Sequence, residues 1–320
     1  KIYDYLEDYK KSYLSFVESN KYSMISFQSL QIDQNKYLNS IKNIKKSYTK
    51  NITKKLEIEN IKDNDLKYPI FLFGFPRSGT TLLHVILNNH PDIEVIEEQP
   101  IVTNVITKFE DILGKYPKNF NKLNSKNIKL FEKIYLNEID KYRKNKNKKL
   151  YIDKLPLNFV HIALINRIFP KSKIIFAVRH PCDVILSCFM QNFVPNEAMI
   201  NFYNLKDATK LYIHVMSVWK KAIQFLNLNV HYVRYENVVS NINSETKKLS
   251  SFLNIPWSNS MINYHEKIKK SANKIKTPSY NQVSEKIYLK SKFRWKNYSK
   301  YFSPIINELK PWIKFWKYEN

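Results

Sequence analysis

From residue 65 onward the chain alternates between short, mostly apolar runs and longer stretches whose apolar residues recur every three or four positions. The short runs, 69–74, 93–96, 150–153, 173–178 and 230–234, have the length and the β-branched and aromatic content of buried strands. The longer stretches predict helices over 79–89, 98–113, 123–143, 205–227 and 244–253, another that follows Lys154-Leu-Pro156 and runs to Phe169, and one more opened at its first turn by Pro181. Strands that alternate with helices imply an α/β protein: a central parallel sheet flanked by helices on both faces. Residues 192–204, with Pro195 and several aromatics, read as a loop. Residues 1–64 differ in kind. They are polar, lack glycine and proline, and carry only a weak helical period through Tyr13, Phe16, Val17, Ile25 and Leu30. The expected division is therefore a helical N-terminal extension over 1–64, whose default role is that of a packed cap, and a catalytic-size α/β domain over 65–320.

Composition changes this picture little. The net charge of +25 invites a nucleic-acid reading, but only six of the 53 basic residues are Arg, and Asn, Ile and Tyr are also abundant. That is the signature of an AT-rich coding sequence rather than of a selected basic patch, and nucleic acid is not the expected partner. Against a background so rich in Lys, a retained Arg marks a need for a planar fork on an oxyanion. Arg77, Arg179, Arg234 and Arg294 fall in or beside motifs, whereas Arg143 and Arg167 do not. Cys182 and Cys188 lie six apart in one predicted helix, a poor geometry for a disulfide, so buried thiols and a cytoplasmic location are expected. No apolar run is long enough to span a bilayer. The first residue is Lys1, which leaves room for an upstream leader or domain.

Glycine carries the chemistry. The chain has three, and two of them, Gly74 and Gly79, sit five apart in Phe73-Gly-Phe-Pro-Arg-Ser-Gly-Thr-Thr81, between a predicted strand and a predicted helix. This is the layout of a phosphate-cradling loop, in which backbone N–H groups of Ser78 to Thr81 and their hydroxyls face an anion. It departs from a nucleoside-triphosphate loop at one place: Thr80 stands where that loop has Lys, and the basic residue comes earlier, as Arg77. A donor carrying a single phosphate at this end, held without magnesium, fits better than MgATP. A second anion site is suggested by Arg179, at the carboxyl end of the strand 173–178, with Ser187 two turns into the next helix. No His/Cys/Asp cluster has metal-ligand spacing, and no metal is expected.

Taken together, the two segments resemble the sulfotransferase family over roughly residues 67–310. Pro76-Arg-Ser-Gly-Thr-Thr81 looks like its 5′-phosphosulfate loop, and Arg179 with Ser187 like its 3′-phosphate site. The branch most resembled contains the tyrosylprotein sulfotransferases and bacterial sulfotransferase domains that follow tetratricopeptide repeats. Phe159-Val-His-Ile-Ala-Leu-Ile165, Ser187-Cys-Phe-Met-Gln-Asn-Phe193, Ser279 with Gln282 and Tyr288, and Arg294-Trp295 with Tyr298 add to the likeness by their order and spacing.

The resemblance implies a P-loop-like sheet and, as donor, 3′-phosphoadenosine 5′-phosphosulfate (PAPS), leaving adenosine 3′,5′-bisphosphate as product. It implies that Glu98 is the general base, since the cytosolic branch's catalytic His slot, before Leu-Pro, here holds Lys154. Lys154 and Arg77 then balance charge at the reacting centre, and Ser279 matches a late serine near the leaving group. Arg77, Ser78, Gly79, Thr80 and Thr81 would hold the 5′ end, and Arg179 and Ser187 the 3′-phosphate. Tyr235 would lie near the adenine, with Lys292 and Arg294 closing over the 3′-phosphate, while Trp295 reads as a core residue. Glu97 reads as a solvated neighbour or a helix N-terminal charge, and His90 and His161 as structural. The acceptor would be a hydroxyl or phenol on a small molecule, glycan or protein tyrosine, walled by 192–204 and the helices of 98–143. A small-molecule kinase and a non-catalytic nucleotide-binding protein are the alternatives that share the same loop physics.

Overall fold

A computed structural model describes residues 2–48, 68–264 and 291–318. The five expected strands form: β1 (Ile70–Gly74), β2 (Ile93–Glu97), β3 (Leu150–Lys154), β4 (Lys173–Val178) and β5 (Asn229–Arg234). They make one sheet in the order β2-β3-β1-β4-β5, with every neighbouring pair parallel. β1 is central because its residues are apolar on both faces and fully buried. This is the P-loop-like arrangement expected of the sequence, flanked by helices on both faces.

Pleating sorts the strand residues into two cores. Phe71, Phe73 and Phe176 join a large aromatic cluster on one face, while Ile70, Leu72, Ile152, Ile175 and Val233 join a smaller aliphatic one on the other. The helix Thr80–Asn88 (α1) covers the aliphatic face with Leu82, Leu83, Val85, Ile86 and Leu87. The helices Ile101–Leu113, Ser125–Asp140, Pro181–Phe189 and Leu205–Phe225 pack into the aromatic cluster. Asn residues start three helices: Asn124, Asn204 and Asn241 accept from the backbone N–H groups of Asn127, Asp207 and Ser244.

Two elements depart from the sequence reading. The segment after β3 opens as a 3-10 stretch, Pro156–His161, before the α-helix Ile162–Ile168. A six-residue helix, Tyr235–Ser240, follows β5 directly and was not anticipated, since it is too short to show a period.

The N-terminal helices Tyr9–Phe27 and Gln34–Ser47 are not a detached appendage. Leu38, Ile41, Ile44 and Tyr48 belong to the aromatic-face core. Asn20 donates to the carbonyls of Phe189 and Tyr203, and Tyr13 stacks on Tyr301 at 3.6 Å between ring centres. The expected boundary at 64/65 falls outside the described residues.

Candidate active site

The carboxyl ends of all five parallel strands meet at one edge of the sheet, where open α/β folds bind ligands. The residues singled out by sequence sit there in turn: Arg77 after β1, Glu97 and Glu98 at β2, Lys154 ending β3, Arg179 after β4 and Tyr235 after β5.

The donor-side half is built from backbone. Gly74 ends β1 so close to β4 that a Cβ there would stand 2.8 Å from the Ala177 carbonyl oxygen and 2.5 Å from Ser78 Oγ. Gly79, at φ +99°, starts α1, and a Cβ on it would meet the Tyr235 ring at 2.9 Å. Between them Arg77 adopts φ +70°, a left-handed conformation unusual for a side-chain-bearing residue. Two neighbours brace it. Arg179 Nη1 donates to the Arg77 carbonyl at 3.1 Å, and Arg77 Nε donates to Ser187 Oγ at 3.1 Å. The two expected anion sites are thus adjacent and joined. Arg179 also lies 4.5 Å over the Tyr235 ring and donates from Nη2 to the Ser291 carbonyl at 2.7 Å. Ser78, Thr80, Thr81 and Arg179 are all buried.

The other half is a chain of charges. Lys154 is wholly buried, and its Nζ donates to Glu98 Oε1 at 2.6 Å and reaches Glu97 Oε1 at 3.5 Å. Glu97 and Lys154 are paired in register across β2 and β3, and the Glu98 N–H donates to the Lys154 carbonyl at 2.8 Å. Glu98 itself is exposed and takes φ +48°, a second left-handed residue at the same edge. Glu97 is not the solvated neighbour that sequence reading suggested: it lies between Lys154 and the buried His84, whose Nδ1 stands 3.6 Å from Glu97 Oε1. Burial works to raise the Glu97 carboxyl, but the His84 ring and the Lys154 ammonium outweigh it and hold the group below the usual carboxylate range. Burial pulls the His84 imidazole below its ordinary value, with Glu97 opposing. His84 was missed in the sequence because it sits among apolar helix residues with no motif around it.

The C-terminal segment closes against the donor half. Asp183 accepts from the Phe293 and Trp295 N–H groups at 2.7 and 2.8 Å, and burial, opposed by Arg179, pushes its carboxyl up to about 6. Lys292 Nζ lies 3.2 Å from Ser240 Oγ. Arg294 is engaged elsewhere, its guanidinium 2.6 Å from Asp4 Oδ1, which ties the N-terminal helix down. Arg234 fastens the chain's last helix by donating to the Trp316 and Lys317 carbonyls. Trp295 stacks on His180 at 5.2 Å, in keeping with a packing role. Ser279 lies outside the described residues. Cys182 and Cys188 are free and buried. Among the described residues no group of side chains is arranged to hold a metal, and no helix is long and apolar enough to cross a membrane. An open hollow of about 450 Å³ lies between the helices 101–113 and 125–140, lined by Asn104, Lys108, Ile134 and Glu138.

A five-stranded parallel sheet whose first strand runs through a glycine-bounded loop into a helix defines a P-loop-like α/β protein. The family model for the sulfotransferase family matches residues 69–259, and the chain belongs to that family. It is 23% identical over 246 residues to protein-tyrosine sulfotransferase A of Caenorhabditis elegans, covering 71% of this chain and 60% of that protein. A protein of Aquifex aeolicus (strain VF5) described as uncharacterized is 26% identical over 325 residues, 98% of this chain and 41% of that one. The chain therefore spans less than two thirds of the length of these relatives. Among solved structures, the sulfotransferase domain from the curacin biosynthetic pathway shares the fold, with a TM-score of 0.51 at 18% identity over 75% of this chain and 98% of that one.

Proposed function

We propose that the protein transfers a sulfuryl group from PAPS to an acceptor hydroxyl or phenol. The observation that supports this reading is the direct bracing of Arg77 by both Arg179 and Ser187, since a single nucleotide could then reach both groups. The residues present suit such a donor. Ser78 Oγ and Arg179 Nε are buried without a hydrogen-bond partner among the described residues, a costly state that phosphate oxygens would relieve. Thr80 in place of the triphosphate Lys disfavours a kinase.

PAPS supplies an activated sulfuryl group on a phosphate leaving group. Arg77 and the backbone N–H groups of Ser78 to Thr81 would hold the phosphosulfate end, and Arg179 and Ser187 the 3′-phosphate. Tyr235 would face the adenine, and Lys292 would lie at the 3′ side. Arg294 would have to leave Asp4 to join it. Glu98, exposed at the edge, takes the acceptor proton at its carboxylate, a role that contributes roughly 10²–10⁴-fold. Lys154 holds an ammonium beside it to balance developing negative charge. Ser279 takes its family role near the leaving group. The name of the tyrosine-sulfotransferase relatives makes a protein tyrosine the first acceptor to try.

Calorimetry with adenosine 3′,5′-bisphosphate tests the donor assignment. We expect binding at about micromolar strength without added metal, weakened at least about tenfold in Arg179→Ala. Absence of binding to the unaltered protein overturns the proposal.

A further inference from the structure

We propose that His84 and Glu97 are positioning residues for the transfer step, a pair that shares the Lys154 ammonium with Glu98 and so leaves Glu98 free to turn toward an acceptor. The inference rests on the reading of Glu98 and Lys154 given above. Lys154 is wholly buried, so its ammonium has no route to bulk water and must be balanced where it lies. Its short contact, 2.6 Å, is with Glu98, and its longer one, 3.5 Å, is with Glu97. A carboxylate clamped one-to-one to an ammonium is held still and has its charge answered. It cannot both stay there and take a proton from an acceptor. A second carboxylate at the same ammonium removes this conflict. Lys154 can then lean to Glu97 when Glu98 turns away, without becoming an unpaired buried charge.

Glu97 is fixed for this duty by the sheet. It faces Lys154 in register on the neighbouring strand, and the pleat sends both side chains to the aliphatic face. On that face α1 carries Leu82, Leu83, Val85, Ile86 and Leu87 into the core and, among them, one buried imidazole. His84 is 5% exposed, and its Nδ1 has no hydrogen-bond partner among the described residues. A leucine would pack this position at no desolvation cost, so the packing alone does not account for a histidine. The nitrogen faces Glu97 Oε1 at 3.6 Å, a separation that a small side-chain shift closes. Hydrogen bonds of this kind are often long without ligand and tighten on binding. An Nδ1–H pointed at Glu97 would fix that carboxylate against Lys154. Because α1 begins at Gly79, the same helix that opens the donor loop also carries the brace for the proton-transfer end.

The test has two arms. In ¹⁵N-histidine NMR, with the His84 signal assigned by its loss in His84→Asn, we expect the Nδ1–H tautomer in the presence of adenosine 3′,5′-bisphosphate and its loss in Glu97→Gln. An Nε2–H tautomer in the unaltered protein overturns the proposal, whether or not any acceptor turns over. In turnover of labelled PAPS with a tyrosine peptide as acceptor probe, Glu97→Gln and His84→Leu should each lower kcat about tenfold while KM for PAPS and the affinity for adenosine 3′,5′-bisphosphate stay within about twofold. His84→Asn, whose amide nitrogen takes the place of Nδ1, should keep most of kcat. The double variant should be little worse than either single one, since both cut one chain of contacts. Unchanged kcat in Glu97→Gln overturns the inference and leaves the donor assignment standing. Loss of donor affinity in parallel with kcat reduces His84 and Glu97 to structural roles and also overturns it. Should His84→Leu fail to fold, Glu97→Gln decides alone.

Discussion

The proposed donor half and the proposed proton-transfer half of the site share one sheet edge but are made of different material. The donor half is backbone: two glycines that admit no Cβ, a strained Arg77 and amides at the start of a helix. The proton-transfer half is side chain: a buried Lys154 balanced by two carboxylates and a histidine, reaching outward only at Glu98. Backbone geometry tolerates almost no substitution, because every change alters the cradle itself. Side-chain charge tolerates substitution as long as balance is kept, and can be tuned to a new acceptor without touching the donor. Under the proposed function, the contrast would separate recognition of a constant donor from chemistry on a variable partner.

That separation can be broken from either side. The largest effect expected is Glu98→Gln, which should lower turnover by about 10²–10⁴-fold while calorimetry with adenosine 3′,5′-bisphosphate shows unchanged affinity. A parallel loss of affinity would mean the two halves are one. Gly74→Ala attacks the other side. Its Cβ would press on the Ala177 carbonyl, a backbone atom that cannot swing away. We expect a loss of about 1–3 kcal/mol in denaturant stability together with weakened bisphosphate binding. Unchanged affinity in a folded Gly74→Ala would show that the loop is less demanding than its geometry indicates.

The smallest effect sharpens the charge bookkeeping next to Lys154. Asp153 points to the opposite face of the sheet, where it accepts from Tyr135 OH at 2.8 Å while its other oxygen has no partner among the described residues. Burial pushes its carboxyl up to about 7. A raised carboxyl means the folded state binds the proton more tightly than the unfolded chain does. The penalty for ionising it is absent below about pH 4 and grows as pH rises toward 7. Asp153→Asn should therefore melt about 2–4 °C above the unaltered protein at pH 8, the gap closing toward pH 4. A gap independent of pH would show that Asp153 stays ionised or stays neutral throughout.

The same contrast explains what could be read from the chain beforehand. All five strands were legible because short, mostly apolar runs rich in β-branched and aromatic residues, set between helical stretches, have few other fates. Arg77, Arg179 and Ser187 were legible because a backbone cradle demands glycine and arginine at fixed spacing, and this chain is poor in both. Lys154 stood out only by its place before Leu155-Pro156. Nothing local revealed that its side chain would be buried. His84 and the part played by Glu97 were illegible, since a charge network between a helix and two strands is assembled by the pleat and register, which no single segment records. Arg294 shows the opposite limit: residue type and position suggested a phosphate, yet the guanidinium is taken by Asp4, 290 residues earlier in the chain. The short helix Tyr235–Ser240 escaped for want of length.

The sharing of one core by Leu38, Ile41 and Ile44 with the sheet has a practical side. A fragment trimmed to 69–259 would strip the aromatic face of helices at both ends, removing Tyr13 and Tyr301 together with the greasy wall they complete. Modular exchange of this sulfotransferase-family domain between proteins would thus have to carry its flanking helices along, and sequence limits drawn around the motifs alone would mark out the tools without the workbench.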